Sequence, residues 1–255
     1  MAHDVGDPRG TGRFYDDLAA TYDLVYADWD AGIARQAAAL TPLIPPGSRV
    51  LDCACGIGTQ AIGLGALGST VVGSDLSPVA VARAAREAVA RRVGLPVVAA
   101  DMRALPFAAG SFDVVLAADN AVPHLLSAAD LGAAAAEMRR VLRPGGRLVL
   151  STRDYDAIRR DRPSSTAPQR NANGTVTFQL WRWNAEGTHY DLEHFQLEPR
   201  GDAWTTTVRR AAYWAVTRAE LAASLSEAGF VDVTWPDTGF FQPVVTAVTP
   251  PRSAG

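Results

Sequence analysis

"VLDCACGIGTQ", residues 50–60, decides the fold. An apolar run ends in Asp52, and two glycines, Gly56 and Gly58, follow closely. A strand that enters a glycine turn and then a helix brings backbone close to a ligand of nucleotide type. Outward from this stretch, apolar runs alternate with helical ones. "SRVLDCA" precedes a helix from about Thr59 to near Gly68. "TVVGSD" precedes a second helix, with Ser77 as N-cap and Pro78 as first helical residue. "LPVVAAD" and "FDVVLAAD" are the third and fourth strands. "AADLGAAAAEMRRVLRPGG" reads as a helix: Leu131, Ala135, Met138 and Leu142 recur at helical spacing, and Pro144-Gly145-Gly146 is expected to stop it. "RLVLSTR" is the fifth strand.

Apolar strands alternating with helices imply a parallel sheet covered on both faces, with the ligand beyond the carboxyl ends of the strands. Those ends carry Asp52, Asp75, Asp101, Asp119 and Arg153. Solvated loop residues would explain one such charge more easily than five at the same topological position. The pattern then changes. Residues 157–174 are expected to be a polar loop. "TVTFQLWRWN", "THYDLEHFQLEP" and "AWTTTVRRAAYWAV" alternate polar and apolar residues, as antiparallel strands do. "TRAELAASLSEAGF" is a helix between Thr217 and Gly229, and "VDVTW" and "PVVTAVTP" are two last strands. The gap between them is too short for a crossover, so they should pair antiparallel.

The chain of 255 residues is long enough for one full core, and its net charge of -3 offers no basic surface for nucleic acid. No apolar stretch approaches the roughly 20 residues of a membrane span, and the N-terminus lacks an apolar signal region. Cys53 and Cys55, the two cysteines, are poorly placed to pair, and a lone C-x-C is no zinc site. A cytoplasmic protein with reduced thiols is expected.

Two ligands compete for the glycine turn. A dinucleotide would need a third glycine, which is absent, and would not favour an acid-rich tier near its pyrophosphate. Such a tier suits a cation instead. Taken with the antiparallel last pair, "LDCACGIGT" resembles the first motif of the class I S-adenosylmethionine-dependent methyltransferases, with Ala54 where many members have glycine. "RVLRPGG" before the fifth strand is similar too. The resemblance implies a doubly wound α/β fold: a seven-stranded, mostly parallel, Rossmann-like sheet with an antiparallel last strand. To this are added an N-terminal helical lid and an antiparallel β insertion after the fifth strand. It implies that Ala54, Gly56 and Gly58 line the cofactor, that Asp52 braces the turn, and that Asp75, next to Leu76, accepts from both ribose hydroxyls. Asp101 would take the adenine amino group, with Met102 beside the ring. Ala118, Asp119 and Asn120 would stand where the fourth strand meets the sulfonium.

"DNAVPHLL", "TRDYD" and the insertion resemble the glycine and sarcosine N-methyltransferase subgroup. That likeness maps Asn120 and His124, then Arg153 and Tyr155, onto an acceptor site, with Arg153 on a carboxylate. Arg153 could instead form a structural salt bridge with Asp119 or Asp154, and His124 could be a core histidine. "FYDDLAATYDLVYADWD" places Tyr15, Tyr22, Tyr26 and Trp29 at helical spacings, either as packing or as a lid; the resemblance puts Tyr22, Tyr26 and Arg35 near the cofactor. Of Trp181, Trp183, Tyr190, Phe195, Tyr213 and Trp214, some would fill the space over the sheet and others would cover an acceptor larger than glycine.

The expected organisation is a lid at 1–45, a cofactor-binding core at 46–156, a substrate cap at 157–215 and a return to the core at 216–255. The expected reaction is transfer of a methyl group from S-adenosylmethionine to the nitrogen of a small molecule, an amine or amino-acid-like acceptor. O- or C-methylation of a natural product and a non-catalytic S-adenosylmethionine-binding module are the alternatives. No nucleic acid or membrane partner is expected. In some members of the subgroup the N-terminal segment crosses between subunits, which leaves a homo-oligomer open.

Overall fold

The computed structural model describes residues 8–251. The first seven residues lie outside it, and with them the start of the expected 1–45 segment and of the stretch read for a signal. Helices α1 (Pro8–Leu18) and α2 (Trp29–Leu40) precede the first strand. Then β1 (Arg49–Asp52), α3 (Thr59–Ala66), β2 (Thr70–Asp75), α4 (Pro78–Ala90) and β3 (Val97–Ala99) alternate. They are followed by β4 (Phe112–Ala117), α5 (Ala128–Val141) and β5 (Leu142–Ser151). The main sheet has the order β3-β2-β1-β4-β5, so the strand order reverses between β1 and β4. A crevice forms at such a reversal.

Alternate residues of these strands enter cores on opposite faces. Leu51, Val115 and Leu148 pack on one side, and Val50, Val114 and Val149 on the other. That is why the strands read as continuous apolar runs. Ser77 caps α4 by accepting from Ala80 N at 3.0 Å.

One boundary differs from expectation. The helix stops at Val141, just ahead of Pro144-Gly145-Gly146, but that stretch is not a separate turn: it lies within β5, because Leu142 is already extended (φ −74°, ψ 139°). A proline disfavours helix in the residue before it, here Arg143. Gly146 N then donates to Thr249 Oγ1 at 2.9 Å, which ties the stretch to the end of the chain.

Beyond β5, residues 157–174 are not all loop. Helix α6 (Tyr155–Asp161) opens there, capped by Asp154, and β6 (Gln169–Arg170) follows. The run of charges hid a short helix that buries only Tyr155. Strands β7 (Val176–Trp183), β8 (His189–Arg200) and β9 (Ala203–Trp214) complete a separate antiparallel sheet with β6. Helix α7 (Arg218–Glu227) begins with a reciprocal cap between Thr217 and Glu220. The chain closes the main sheet with β10 (Val231–Thr234) and β11 (Val244–Val248); β11 runs antiparallel to both β5 and β10, as the short gap required.

Candidate active site

The glycine turn is built from below. Asp52 is 1% exposed, and its Oδ1 accepts from Ala54 N at 3.3 Å while Oδ2 has no partner among the described residues. Burial pushes its pKa up to about 7. Gly56 and Gly58 both have positive φ, 51° and 96°. A side chain at Gly58 would also meet Ile62 Cδ1 at 2.8 Å, so the turn needs glycine twice over. Gly56 N donates to Asp75 Oδ2 at 2.8 Å and Ser77 N to Asp75 Oδ1 at 2.9 Å. Asp75 therefore fixes the turn from the end of β2.

Above the turn lies a first cavity, beyond the carboxyl ends of β1 to β4. Ala54, Gly56, Asp75, Leu76, Asp101, Met102, Ala118, Tyr22 and Tyr26, all named from sequence, line it, and so does His124, which sequence placed at the acceptor. Asp52 and Gly58 do not; they hold the turn from behind. Asp101 is clamped by Arg103, whose Nη2 donates to Oδ2 at 2.7 Å. Burial opposes ionisation of Asp101, and the Arg103 hydrogen bonds outweigh it, so its pKa is lowered.

A second cavity of about 790 Å³, open to solvent, adjoins the first and shares Tyr15, Tyr22, Tyr26 and Asp119 with it. Asn120 and Arg153 line this one and not the first. Arg35, expected beside the cofactor, is exposed and also belongs to the second cavity, because α2 turns it away from the glycine turn. Tyr155 lines neither. It is buried behind Arg153, with its hydroxyl 3.0 Å from that of Tyr190.

Asp119 stands at the junction. Its Oδ2 accepts from Tyr26 OH at 2.8 Å and its Oδ1 from Gln242 Nε2 at 3.1 Å. Burial raises its pKa above the ordinary carboxylate range. Asp119 and Asn120 are consecutive residues with positive φ, 58° and 68°. Such strain costs of order 1–3 kcal/mol per residue and concentrates at functional sites. Here Ser151 Oγ, accepting from Asp119 N at 2.8 Å, and Asn120 Oδ1, accepting from Arg153 N at 3.1 Å, hold the bend.

Arg153 forms neither of the salt bridges weighed from sequence. Its Nη1 donates to Tyr190 OH at 3.1 Å and its Nη2 to Gln179 Oε1 at 3.4 Å. The guanidinium carbon lies 4.9 Å from the centre of the Trp181 ring. Asp154 is occupied as the cap of α6. Among the described residues no carboxylate comes within 4 Å of the Arg153 guanidinium.

His124 is held by Tyr15, hydroxyl to Nε2 2.8 Å, and packs on Tyr213. Burial, and then the Arg153 cation, push its pKa down to about 3, so it is neutral. Burial likewise keeps Tyr15, Tyr22 and Tyr26 protonated. The aromatic stripe splits: a 3-10 segment follows α1, and Trp29 faces away, donating to Thr59 Oγ1 at 2.9 Å. Of the insertion's aromatics, Tyr213 reaches the second cavity, Trp181 and Tyr190 surround Arg153, and Phe195 stacks on Phe178 elsewhere. Sequence reasoning passed over Gln179, His194 and Gln242, which come from distant elements with no shared motif.

The first cavity fits a sulfonium nucleoside better than a pyrophosphate. Among the described residues lining it, Asp75, Asp101, Asp119 and Asp130 face a single arginine, Arg103, and Asp101 and Asp130 already neutralise that one.

Residues 50–146 match a family described as a methyltransferase domain. The chain is 40% identical over 148 residues to the demethylmenaquinone methyltransferase of Beutenbergia cavernae, covering 57% of this chain and 58% of that one. It thus spans about half the length of the curated relatives it matches. Among solved structures, the CcbJ methyltransferase of Streptomyces caelestis superposes with a TM-score of 0.77 at 19% identity, over 96% of this chain and 99% of that one. An S-adenosylmethionine-bound amino pentose methyltransferase from Micromonospora echinaspora gives 0.63 at 24%, over 94% and 93%. These structures share the fold. The match thus marks residues 50–146 as methyltransferase-like, and S-adenosylmethionine is the molecule bound in the Micromonospora echinaspora structure. Among the described residues no helix is long and apolar enough to cross a membrane.

Proposed function

We propose that the whole chain is a small-molecule N-methyltransferase whose acceptor carries an amine and a carboxylate. The single observation that carries this is Arg153, a cation lining the second cavity without a carboxylate partner among the described residues. A guanidinium left with free donors at a cavity wall is matched to a carboxylate. In this reading the first cavity holds S-adenosylmethionine, with Asp75 on the ribose, Asp101 and Met102 at the adenine, and Ala54 and Gly56 against the sugar and amino acid. When bound, it supplies an electrophilic methyl group on a sulfonium.

The acceptor lies in the second cavity, with its amine at Asp119 and its carboxylate at Arg153. Asp119 Oδ, already oriented by Tyr26 and Gln242, accepts a hydrogen bond from the amine and takes up the proton it must lose. Asn120 holds the Arg153 backbone, and Tyr155 positions Arg153 through Tyr190. His124 orients Tyr15 between the two cavities. The helical segment of residues 8–45 closes over both ligands and excludes water, so that catalysis rests on proximity and alignment. Likeness to the glycine and sarcosine enzymes and to the amino pentose methyltransferase supports a nitrogen acceptor.

A second reading, methylation of carbon or oxygen on a ring-shaped natural product, is favoured by Phe14, Tyr213 and Phe240 in the same cavity and by the demethylmenaquinone methyltransferase relative. The test is formation of S-adenosylhomocysteine with amino acids, carboxylate-free amines and phenols. Turnover with carboxylated amines supports the first reading; turnover confined to phenols or quinols supports the second.

A further inference from the structure

One polar side chain at the second cavity has no role so far. His194 sits in the middle of β8, where Tyr190, Leu192, His194 and Gln196 are buried and the residues between them are not. It lines the second cavity and is 4% exposed. Its Nε2 is buried with no hydrogen-bond partner among the described residues. A buried ring nitrogen left unmet is costly, and a ligand group is one way to meet it.

The surroundings define what that group is. Burial, and then the Arg209 cation facing it across the β8–β9 pairing, push the His194 pKa down to about 4. The ring is therefore neutral near pH 7. A neutral imidazole has one donor and one acceptor. Arg209 disfavours an ammonium beside it, and the acceptor's carboxylate is already placed at Arg153. An uncharged hydroxyl or amide is the match. Gln179 stands opposite His194 in the β7–β8 pairing and lines the same cavity, and its Oε1 accepts from Arg153. Arg153, Gln179 and His194 thus follow one another along one wall, the last two a strand spacing of roughly 5 Å apart.

We propose that His194 is a specificity-determining residue that hydrogen-bonds an uncharged hydroxyl or amide on the acceptor, beyond the end held by Arg153. The acceptor is then a hydroxyl- or amide-bearing amine, longer than glycine or sarcosine. This rests on the amine-acceptor reading for where the acceptor lies.

The test uses four amines that differ only by a hydroxyl and a carboxylate: homoserine, 2-aminobutyrate, 3-amino-1-propanol and propylamine. Their binding to the full chain with S-adenosylhomocysteine present is measured by calorimetry for wild type, His194→Leu and His194→Gln. The expected result is a loss of about tenfold on removing the hydroxyl, with or without the carboxylate. That loss disappears in His194→Leu and returns in part in His194→Gln, while S-adenosylhomocysteine affinity is unchanged. Should His194→Leu lose S-adenosylhomocysteine affinity, it has misfolded and His194→Gln carries the comparison. No hydroxyl effect in wild type, or its survival in His194→Leu, overturns the inference. A hydroxyl effect without a carboxylate effect sinks the role given to Arg153 and leaves His194 in place.

Discussion

Replacing Arg153 by methionine separates a binding role from a structural one, because the two move different quantities. The guanidinium has five N–H donors. Only one on Nη1 and one on Nη2 are engaged, by Tyr190 and Gln179. Enough remain to grip a carboxylate with two bonds. At about 1.5 kcal/mol for each charge-assisted hydrogen bond, the loss is about 3 kcal/mol, or roughly 100-fold in affinity. The same change should cost the ligand-free protein little. A partly buried cation that meets Asp119 only through space, with no direct salt bridge, adds little stability, and methionine fills much of its volume. Tyr190 and Gln179 keep other partners, Tyr155 and the Trp181 indole. The melting temperature should hold within roughly 4 °C. Calorimetric titration of an amino acid and its decarboxylated counterpart, with S-adenosylhomocysteine present, reads the first effect, and a thermal melt reads the second. Equal weakening of both ligands, or a melting temperature that collapses while the ligand difference persists, would refute the reasoning.

Three other outcomes follow from the cofactor side. Asp75→Ala removes the carboxylate that fixes Gly56 N and Ser77 N, and S-adenosylmethionine should bind at least tenfold more weakly; unchanged affinity by calorimetry would exclude Asp75 from the ribose site. Gly58→Ala forces a Cβ into a left-handed residue against Ile62, and chemical denaturation should show a loss of about 1–3 kcal/mol; a neutral result would mean that the turn relaxes freely. Asp52→Asn should change the pH dependence of stability. The folded carboxyl titrates at about 7 and the unfolded one near its ordinary value, so the folded protein holds the extra proton in between. Wild-type stability relative to Asp52→Asn therefore falls as pH rises from about 4 to about 7, by a few kcal/mol, and is level above that. Denaturation at pH 5 and pH 8 checks it, and a constant difference would contradict it.

The α/β core was legible in sequence because each of its strands is an apolar run that ends in a charge, and its turns carry glycine or a capping pair such as Ser77-Pro78. The antiparallel sheet was legible because one of its faces is wet, so polar and apolar residues alternate. The start of β5 was misread because Pro144-Gly145-Gly146 usually ends a helix, and nothing local shows that Thr249 will receive it. Helix α6 was missed because its cap, Asp154, belongs to a run of charges. At the site, the residues on one strand end or one turn could be found from the chain itself. Asp75, Asp101 and Met102 are of this kind, and all three face the first cavity. Arg35 and Tyr155 could not be placed that way, since their direction depends on how α2 and α6 pack. His194 and Gln179 gave no signal, because alternation places them on a face without saying that the face overlooks a cavity. The Asp119-Asn120 pair offered a hint: both residue types tolerate the left-handed conformation that the end of β4 requires.

The most direct test of the central claim is to follow the methyl group. The protein is incubated with S-adenosylmethionine carrying an isotopically labelled methyl and with a mixture of carboxylated amines, carboxylate-free amines and phenols. Fragmentation mass spectrometry then locates the label. The account predicts label on the nitrogen of a carboxylated amine, absent when that amine is offered to the Arg153→Met protein at the same concentration. Label on carbon or on a phenol oxygen, undiminished by that substitution, would contradict it.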